Sequence, residues 1–543
     1  MWLPALLGLL SPPGGDRPRR TNLDETQLIQ LAVTGAPLPT WGLPKEYSQR
    51  VDHFSKKEPP DAFAQRYFES DAHFDEANGA VVLYISGEAP LYAAPGSDTY
   101  TGHLAAKLRA RVVALEHRYY GDSHPFAEMT TSNLRYLNSA QALLDLRAFR
   151  LWYERTQMVH ADGTPMVRAD GKPHKWVVVG GSYAGNLAAW FRARFPSLAA
   201  AAHASSAPIH VMDDFPRFDV QLQAALATES GCVDRLRNAA AALNASLAGD
   251  ADAALSAQAA KALFDADALS DDDFAYLHAD AVAIAVQYGH KRDLCGRLSA
   301  ASAAARAAAA GAAAASAYAA AWSAPAAAAR AAAGEGNREE GVMLLRALAS
   351  FTKAHFYPTL ETGKPECYDR KYLANSAVTT EKNARQWLFQ QCTELGWFQV
   401  HPDGDASLRL PRVNRAYFRK LCADTFGAEL HPDTEAATAN YEAAALNASH
   451  VFFTFGKDDP WQSAYPVHGR ADAANGPFAA APDAPGAKAR HRRIECDECA
   501  HCVDLGQMSS GPAEVQAVRQ AAASAICGWV HGAGAAWCGA SLA

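Results

Sequence analysis

The sequence predicts an α/β fold: a largely parallel sheet with helices on both faces, interrupted by a large helical insertion. Three observations carry this. Between about residues 50 and 200, short apolar runs alternate with helical stretches, and a run apolar at every position marks a strand buried on both faces. From about 205 to 430, β-rich runs become scarce, alanine rises and helical periodicity dominates. From about 450 the β character returns.

The chain opens with a short apolar stretch, Leu3 to Leu10, followed by Ser11-Pro12-Pro13-Gly14-Gly15. It is too short to span a bilayer and reads, with the residues to 20, as a signal peptide. Residues 80–86 form the first apolar run and end at Gly87; 110–116 form the second. Residues 143–153 have the apolar spacing of a helix. Residues 176–179 form the third run and lead into Gly180-Gly181. Within the insertion, 299–334 is mostly alanine, which favours helix but leaves no large apolar stripe to dock; it reads as an exposed helix or loop. Residues 450–455 are a returning strand, 471–489 (rich in Ala, Pro and Gly) a loop insertion, and 512–529 a closing helix.

The chemistry concentrates at the third strand. Gly180-Gly181-Ser182-Tyr183-Ala184 lies between a strand and a helical stretch. A nucleophile on such a turn needs small residues two before and two after, because the two backbones nearly touch; Gly180 and Ala184 meet the requirement. The N–H of Tyr183 is a natural oxyanion donor at the helix start, and the loop that opens with Gly87 offers a second. A serine nucleophile needs a base, and the base an orienting carboxylate, following in the order Ser, Asp, His. The returning strand leads into Asp458-Asp459-Pro460-Trp461, where two aspartates compete. His501 is the favoured base over His468 and His491, which flank the loop insertion. A rival reading places zinc on Cys496, Cys499, His501 and Cys502, but it lacks a second well-spaced ligand pair.

Fifty Lys+Arg against 58 Asp+Glu give a net charge of −8, so there is no basic field for nucleic acid. No stretch is long and apolar enough for a membrane span. Ten cysteines and the sequons at Asn244 and Asn447, both glycosylation candidates, point to an oxidising compartment on the secretory route. Lysosome or vacuole and the extracellular space fit equally.

With these residues placed, the chain resembles the prolyl-specific serine peptidase family of Pro-X carboxypeptidases and dipeptidyl peptidases. The blocks that carry the resemblance are Val51-Asp52-His53-Phe54, Gln65-Arg66-Tyr67-Phe68, Glu116 to Ser123 with Pro125-Phe126, Tyr136-Leu137 with Gln141 and Asp145, the Ser182 elbow, Cys392 to Gly396, and Asp459-Pro460-Trp461. The resemblance implies an α/β-hydrolase fold with a helical cap. Its divisions are 45–205 for the first part of the hydrolase domain, 206–435 for the cap and 436–543 for the second part. It implies Ser182 as nucleophile, Asp459 as orienting acid and His501 as base, with no cofactor and no metal. The implied activity is cleavage of short peptides next to proline, with a homodimer as the candidate assembly. Trp397, Phe398 and Trp461 are the candidates for the proline pocket, and Cys392 with Cys422 for a disulfide bracing the cap. The chain departs from the family at Ala184, often glycine there, at Phe455-Gly456 in place of Asn-Gly, and in the loop insertion with its extra Cys496 and Cys499. An esterase, or an inactive binding protein on the same fold, is the alternative.

Overall fold

The computed structural model describes residues 43–320, 327–402, 407–465, 490–532 and 535–539. Its strands are β1 (Lys45–Arg50), β2 (Ala62–Ser70), β3 (Val81–Ile85), β4 (Arg111–Leu115), β5 (Trp176–Gly181), β6 (Ala201–Ser205), β7 (Met212–Asp214), β8 (Gly396–Phe398), β9 (Val451–Gly456) and β10 (Arg490–Ile494). Eight of them form one sheet in the order β1-β2-β4-β3-β5-β6-β9-β10, and β7 pairs with β8 in a separate parallel ribbon. β2 runs antiparallel to β1 and to β4, and every pair from β4 to β10 is parallel.

The uninterrupted apolar runs acquire their reason here. Val82, Val177 and Val179 pack on one face, with Tyr100, Leu104 and Leu108 of α1 (Tyr100–Leu108). Leu83 and Val178 pack on the other, with Leu143, Leu146 and Phe149 of α2 (Ser139–Thr156) and Leu187 of α3 (Tyr183–Arg194). Each strand therefore needs apolar side chains at both parities. The topology, with its antiparallel entry and parallel remainder, is that of an α/β-hydrolase.

Between β6 and β9 the described residues are mostly helical, apart from the β7–β8 ribbon and the connecting loops. Among the helices are α4 (Arg217–Leu226), α5 (Asp271–Gln287), α6 (Lys291–Ala320) and α7 (Ala327–Phe351). The Ala-rich segment is helical on both sides of 321–326: α6 and α7 run antiparallel, joined where Arg297 Nη1 donates to Ser350 Oγ at 3.0 Å. The chain closes with α8 (Ala513–His531) on the α1 face. The signal-peptide reading at 1–20 and the loop insertion at 471–489 lie outside the described residues.

Four disulfides form: Cys232–Cys295, Cys392–Cys422, Cys496–Cys499 and Cys527–Cys538; Cys367 and Cys502 are free and buried. The conspicuous Glu116–Ser123 and Gln141–Asp145 blocks are scaffolding. Arg118 is fully buried, and its guanidinium makes a two-point pair with Asp145 at 2.6 Å for each contact, while His53 Nε2 reaches the same carboxylate at 2.7 Å. Its remaining donors go to the carbonyls of Arg50, Val51 and Tyr136. Glu116 accepts from Arg66, Ser123 and the Leu91 N–H. Gly121, at φ 58°, is required because a Cβ there would stand 1.9 Å from Glu116 Oε1. Removing one member of a buried pair strands the other charge. Asp145→Ala is expected to lower unfolding free energy by about 3–5 kcal/mol in denaturant melts; a loss below about 1 kcal/mol would show that the pair does not hold β1 and α2 together.

Candidate active site

Ser182 sits where β5 turns into α3, at φ 56° and ψ −131°. That left-handed φ is strained for a residue with a Cβ, by about 1–3 kcal/mol, and the surrounding contacts enforce it. The Ser182 N–H donates to Ser205 O at 2.9 Å. A Cβ on Gly180 would come within 2.1 Å of the Ala184 carbonyl oxygen, and one on Gly185 within 2.9 Å of the Ser205 carbonyl oxygen. Strand and helix backbones thus touch, and glycine is obligatory at 180. Ala184 is tolerated because its methyl faces Gly87, whose own Cβ position is 3.5 Å away. The Ser182 side chain makes no helix-capping hydrogen bond and is half-buried, so its hydroxyl is reachable.

The two aspartates separate by what they touch. Asp459 is fully buried; its Oδ2 lies 2.8 Å from His501 Nδ1 and also accepts the Tyr465 hydroxyl, and its Oδ1 accepts the Trp461 N–H at 3.0 Å. Asp458 instead pairs with Lys291 at 2.8 Å. Of the other histidines, His491 lies in β10 stacked on Phe453, and His468 lies outside the described residues. Burial works against charge on the His501 ring, but the Asp459 carboxylate outweighs it and holds the imidazole well above its ordinary pKa. The His501 loop packs on the elbow: a Cβ on Gly181 would stand 2.9 Å from Cys502 Sγ, and the Cys502 N–H donates to Ser206 Oγ at 2.8 Å. Three residues on, Asp504 accepts Ser205 Oγ at 2.6 Å and Thr454 Oγ1 at 2.7 Å, and lies 3.1 Å from His203 Nε2, pinning this loop to β6 and β9.

The aromatic candidates divide. Trp461 packs 6.3 Å from the His501 ring and 5.7 Å from Trp397, which continues through Trp387 (6.2 Å) to Tyr183 (5.9 Å). The two predicted tryptophans therefore form part of an aromatic wall running from His501 to the residue after Ser182. Phe398 does not join it. As the next residue along β8 it projects the opposite way and stacks on Phe418 at 4.7 Å inside the helical segment. Sequence reasoning missed Trp387, Phe215 and Phe218; Phe215 and Phe218 pack 5.5 and 5.4 Å from Trp461. No local pattern distinguishes them from core residues.

Glu88 was also missed. It follows Gly87 in the loop after β3 and is 5% exposed, and its Oε2 has no hydrogen-bond partner. Its charge is felt by Tyr120, Tyr183, Tyr288 and His501. Burial pushes its carboxyl up to about 7, against lowering by its own backbone N–H and by His501.

Cys496 and Cys499 are spent on a disulfide, which removes the thiolates a zinc reading required. Among the described residues no group of three acidic, His or Cys side chains is arranged to hold a metal. Asn244 lies exposed within a helix (Cys232–Ala248) and Asn447 exposed at a helix end (Ala443–Asn447).

The family described as serine carboxypeptidase S28 matches residues 49–475. A probable serine protease of Arabidopsis thaliana, EDA2, is 33% identical over 419 residues, covering 77% of this chain and 75% of its own. The thymus-specific serine protease of Homo sapiens is 28% identical over 503 residues, 85% of each chain. The lysosomal Pro-X carboxypeptidase of Mus musculus is 33% identical over 189 residues, 33% of this chain and 36% of its own. Among solved structures, a proline iminopeptidase of Mycobacterium smegmatis aligns over 89% of this chain and 99% of its own, with a TM-score of 0.34 and 9% identity. The chain belongs to the serine carboxypeptidase S28 family and is a serine-type peptidase.

The environment of Glu88 has a measurable consequence. In the unfolded chain its proton leaves near 4.5, and in the folded chain near 7. Folding is therefore penalised progressively as pH rises through that window, and unpenalised below it. Glu88→Gln is expected to gain about 3 kcal/mol of stability at pH 8 and almost nothing at pH 4. Denaturant melts at the two pH values check this; a difference independent of pH would refute the buried acid.

Proposed function

We propose that this peptidase is an exopeptidase that cleaves short peptides beside proline, with Ser182 as nucleophile, His501 as base and Asp459 as orienting acid. The observation that carries the reading is the 2.8 Å contact of Asp459 Oδ2 with His501 Nδ1 in a loop packed against the strained, uncapped Ser182 turn. His501 Nε2 takes the Ser182 proton as Oγ attacks the scissile carbonyl, forming the C–O bond. The tetrahedral oxyanion is held by the Tyr183 N–H and by an N–H of the Gly87 loop. His501 then gives its proton to the leaving amine as the C–N bond breaks. Water, deprotonated by His501, attacks the acyl carbonyl; as the bond to Ser182 Oγ breaks, His501 returns the proton to Ser182 and the acid product leaves. Asp459 stays ionised throughout and stabilises the imidazolium.

Proline specificity is supported by the aromatic wall. A pyrrolidine ring is compact and apolar and suits a slot faced by Trp461 and Trp397, and that wall reaches from His501 to Tyr183. The helical segment between β6 and β9, which supplies Trp387 and Trp397, is the cap in this reading. Four disulfides and two exposed sequon asparagines support passage through the secretory pathway, with glycans at Asn244 and Asn447 and a destination in a lysosome or vacuole or outside the cell.

An N-blocked Pro-X dipeptide and an X-Pro amide with a free amine, assayed from about pH 4.5 to 8, test the reading. Release of the C-terminal residue alone identifies a carboxypeptidase, and release of the amide leaving group alone a dipeptidyl peptidase. Ser182→Ala and His501→Ala are each expected to lower kcat/KM by about 10³-fold or more. Turnover of neither substrate by protein that still reacts with a fluorophosphonate would refute the proline specificity.

A further inference from the structure

The acid and the base stand on two different loops, and one cation from the helical insertion grips both. Lys291, the first residue of α6, has a side chain 1% exposed. Its ammonium donates to Asp458 Oδ2 at 2.8 Å, to Asp497, to Thr228 Oγ1 at 2.9 Å and to the Ala225 carbonyl at 3.4 Å. Asp458 is the neighbour of Asp459. Asp497 lies inside the ring closed by Cys496–Cys499, four residues before His501. The loops are cross-bonded around this ammonium: the Asp458 N–H donates to the Cys499 carbonyl at 2.9 Å, and the Glu498 N–H to Asp458 Oδ2 at 2.8 Å. The same turn of the insertion touches both partners again. The Gln287 carbonyl accepts the His501 N–H at 3.1 Å, Gln287 Oε1 accepts the Trp461 indole at 2.9 Å, and the Arg292 N–H donates to Glu498 Oε1 at 3.1 Å.

We propose that Lys291 is a positioning residue, whose ion pairs with Asp458 and Asp497 set the distance and angle between Asp459 and His501. This rests on the assignment of Asp459 and His501 as the acid–base pair. Stability does not call for such a device. A buried ion pair replaced by neutral groups of similar size commonly costs nothing, whereas a fixed charge geometry specifies one arrangement of the loops it joins. The pair also gives Asp458 a function distinct from that of its neighbour. It makes the helical insertion part of the hydrolytic apparatus and not merely a roof over it.

The test compares Lys291→Met, Lys291→Arg and the double variant Lys291→Met/Asp458→Asn, which removes both buried charges and so leaves neither unpaired. The double variant is expected to melt within a few degrees of wild type. Its kcat should nonetheless fall about ten-fold or more, with KM changed less than about three-fold. Its reaction with a fluorophosphonate should slow in parallel, and the acidic limb of its kcat profile should move. Lys291→Arg, which keeps both pairs, should stay within about three-fold of wild type. A folded double variant with wild-type kcat and pH limb, or one altered only in KM, would overturn the positioning role. Ser182→Ala and His501→Ala run alongside. Loss of activity in both with unaffected Lys291 variants overturns this role alone, whereas activity surviving in both overturns the catalytic assignment and the role with it.

Discussion

The constraint on which the rest depends is the contact of two backbones at the β5–α3 turn. With Gly180 lacking the Cβ that would collide with the Ala184 carbonyl, the helix can begin at the strand's end, and Ser182 is forced to a positive φ. From that follow the uncapped hydroxyl, the Tyr183 N–H at the helix start, and the hydrogen bond to Ser205 that ties the turn to β6. The loops bearing Asp459 and His501 are built to meet this fixed point. Gly456 is bare because a Cβ there would lie 2.3 Å from the carbonyl oxygens of Cys499 and Ala500, so these loops too approach each other backbone to backbone. Glycine at 180 and at 456 thus serves one geometric end on two sides of the site.

Much of this was legible in the sequence, for identifiable reasons. The central strands β3, β4, β5 and β9 are apolar at nearly every position, Arg111 and Thr454 being the exceptions, because both faces are covered, and such runs stand out. β6 was unreadable. Ala201-Ala202-His203-Ala204-Ser205 has none of the branched or aromatic residues that mark strands, yet it is fully buried between β5 and β9. There packing on helices from both sides decides, not propensity. β10, Arg490-His491-Arg492-Arg493-Ile494, hid for the opposite reason: it is the last strand, with charged residues where alternation would ask for apolar ones.

At the site, the residues themselves left two aspartates open and the family resemblance chose Asp459; both are buried, and they differ in partner, Asp459 meeting His501 and Asp458 meeting Lys291. The aromatic wall was half readable. Trp397 and Trp461 sit beside recognisable blocks, but the alternation of β8 turns Phe398 away. Phe215, Phe218, Trp387 and Glu88 carry no local mark, because what makes them neighbours of the site is the folding of segments up to several hundred residues apart. The distinctive Glu116–Ser123 block carried the opposite lesson. Its charge-rich chemistry is spent on Arg66, Arg118 and Asp145, which brace the sheet beneath the site and leave the reaction to others.

The character of β10 bears on how crowded molecules of this protein coexist. Among the described residues β10 is the last strand of the sheet, the position where a sheet must manage pairing with another extended chain. Arg490, Arg492 and Arg493 place positive charge along that strand, with Arg493 3.3 Å from Glu495, so pairing of two copies there brings like charges together. Arginine keeps its charge in acid, where carboxylates begin to lose theirs. In an acidic medium, where repulsion carried by acidic side chains fades, the arginines along this strand keep their charge and oppose edge-to-edge pairing of two copies.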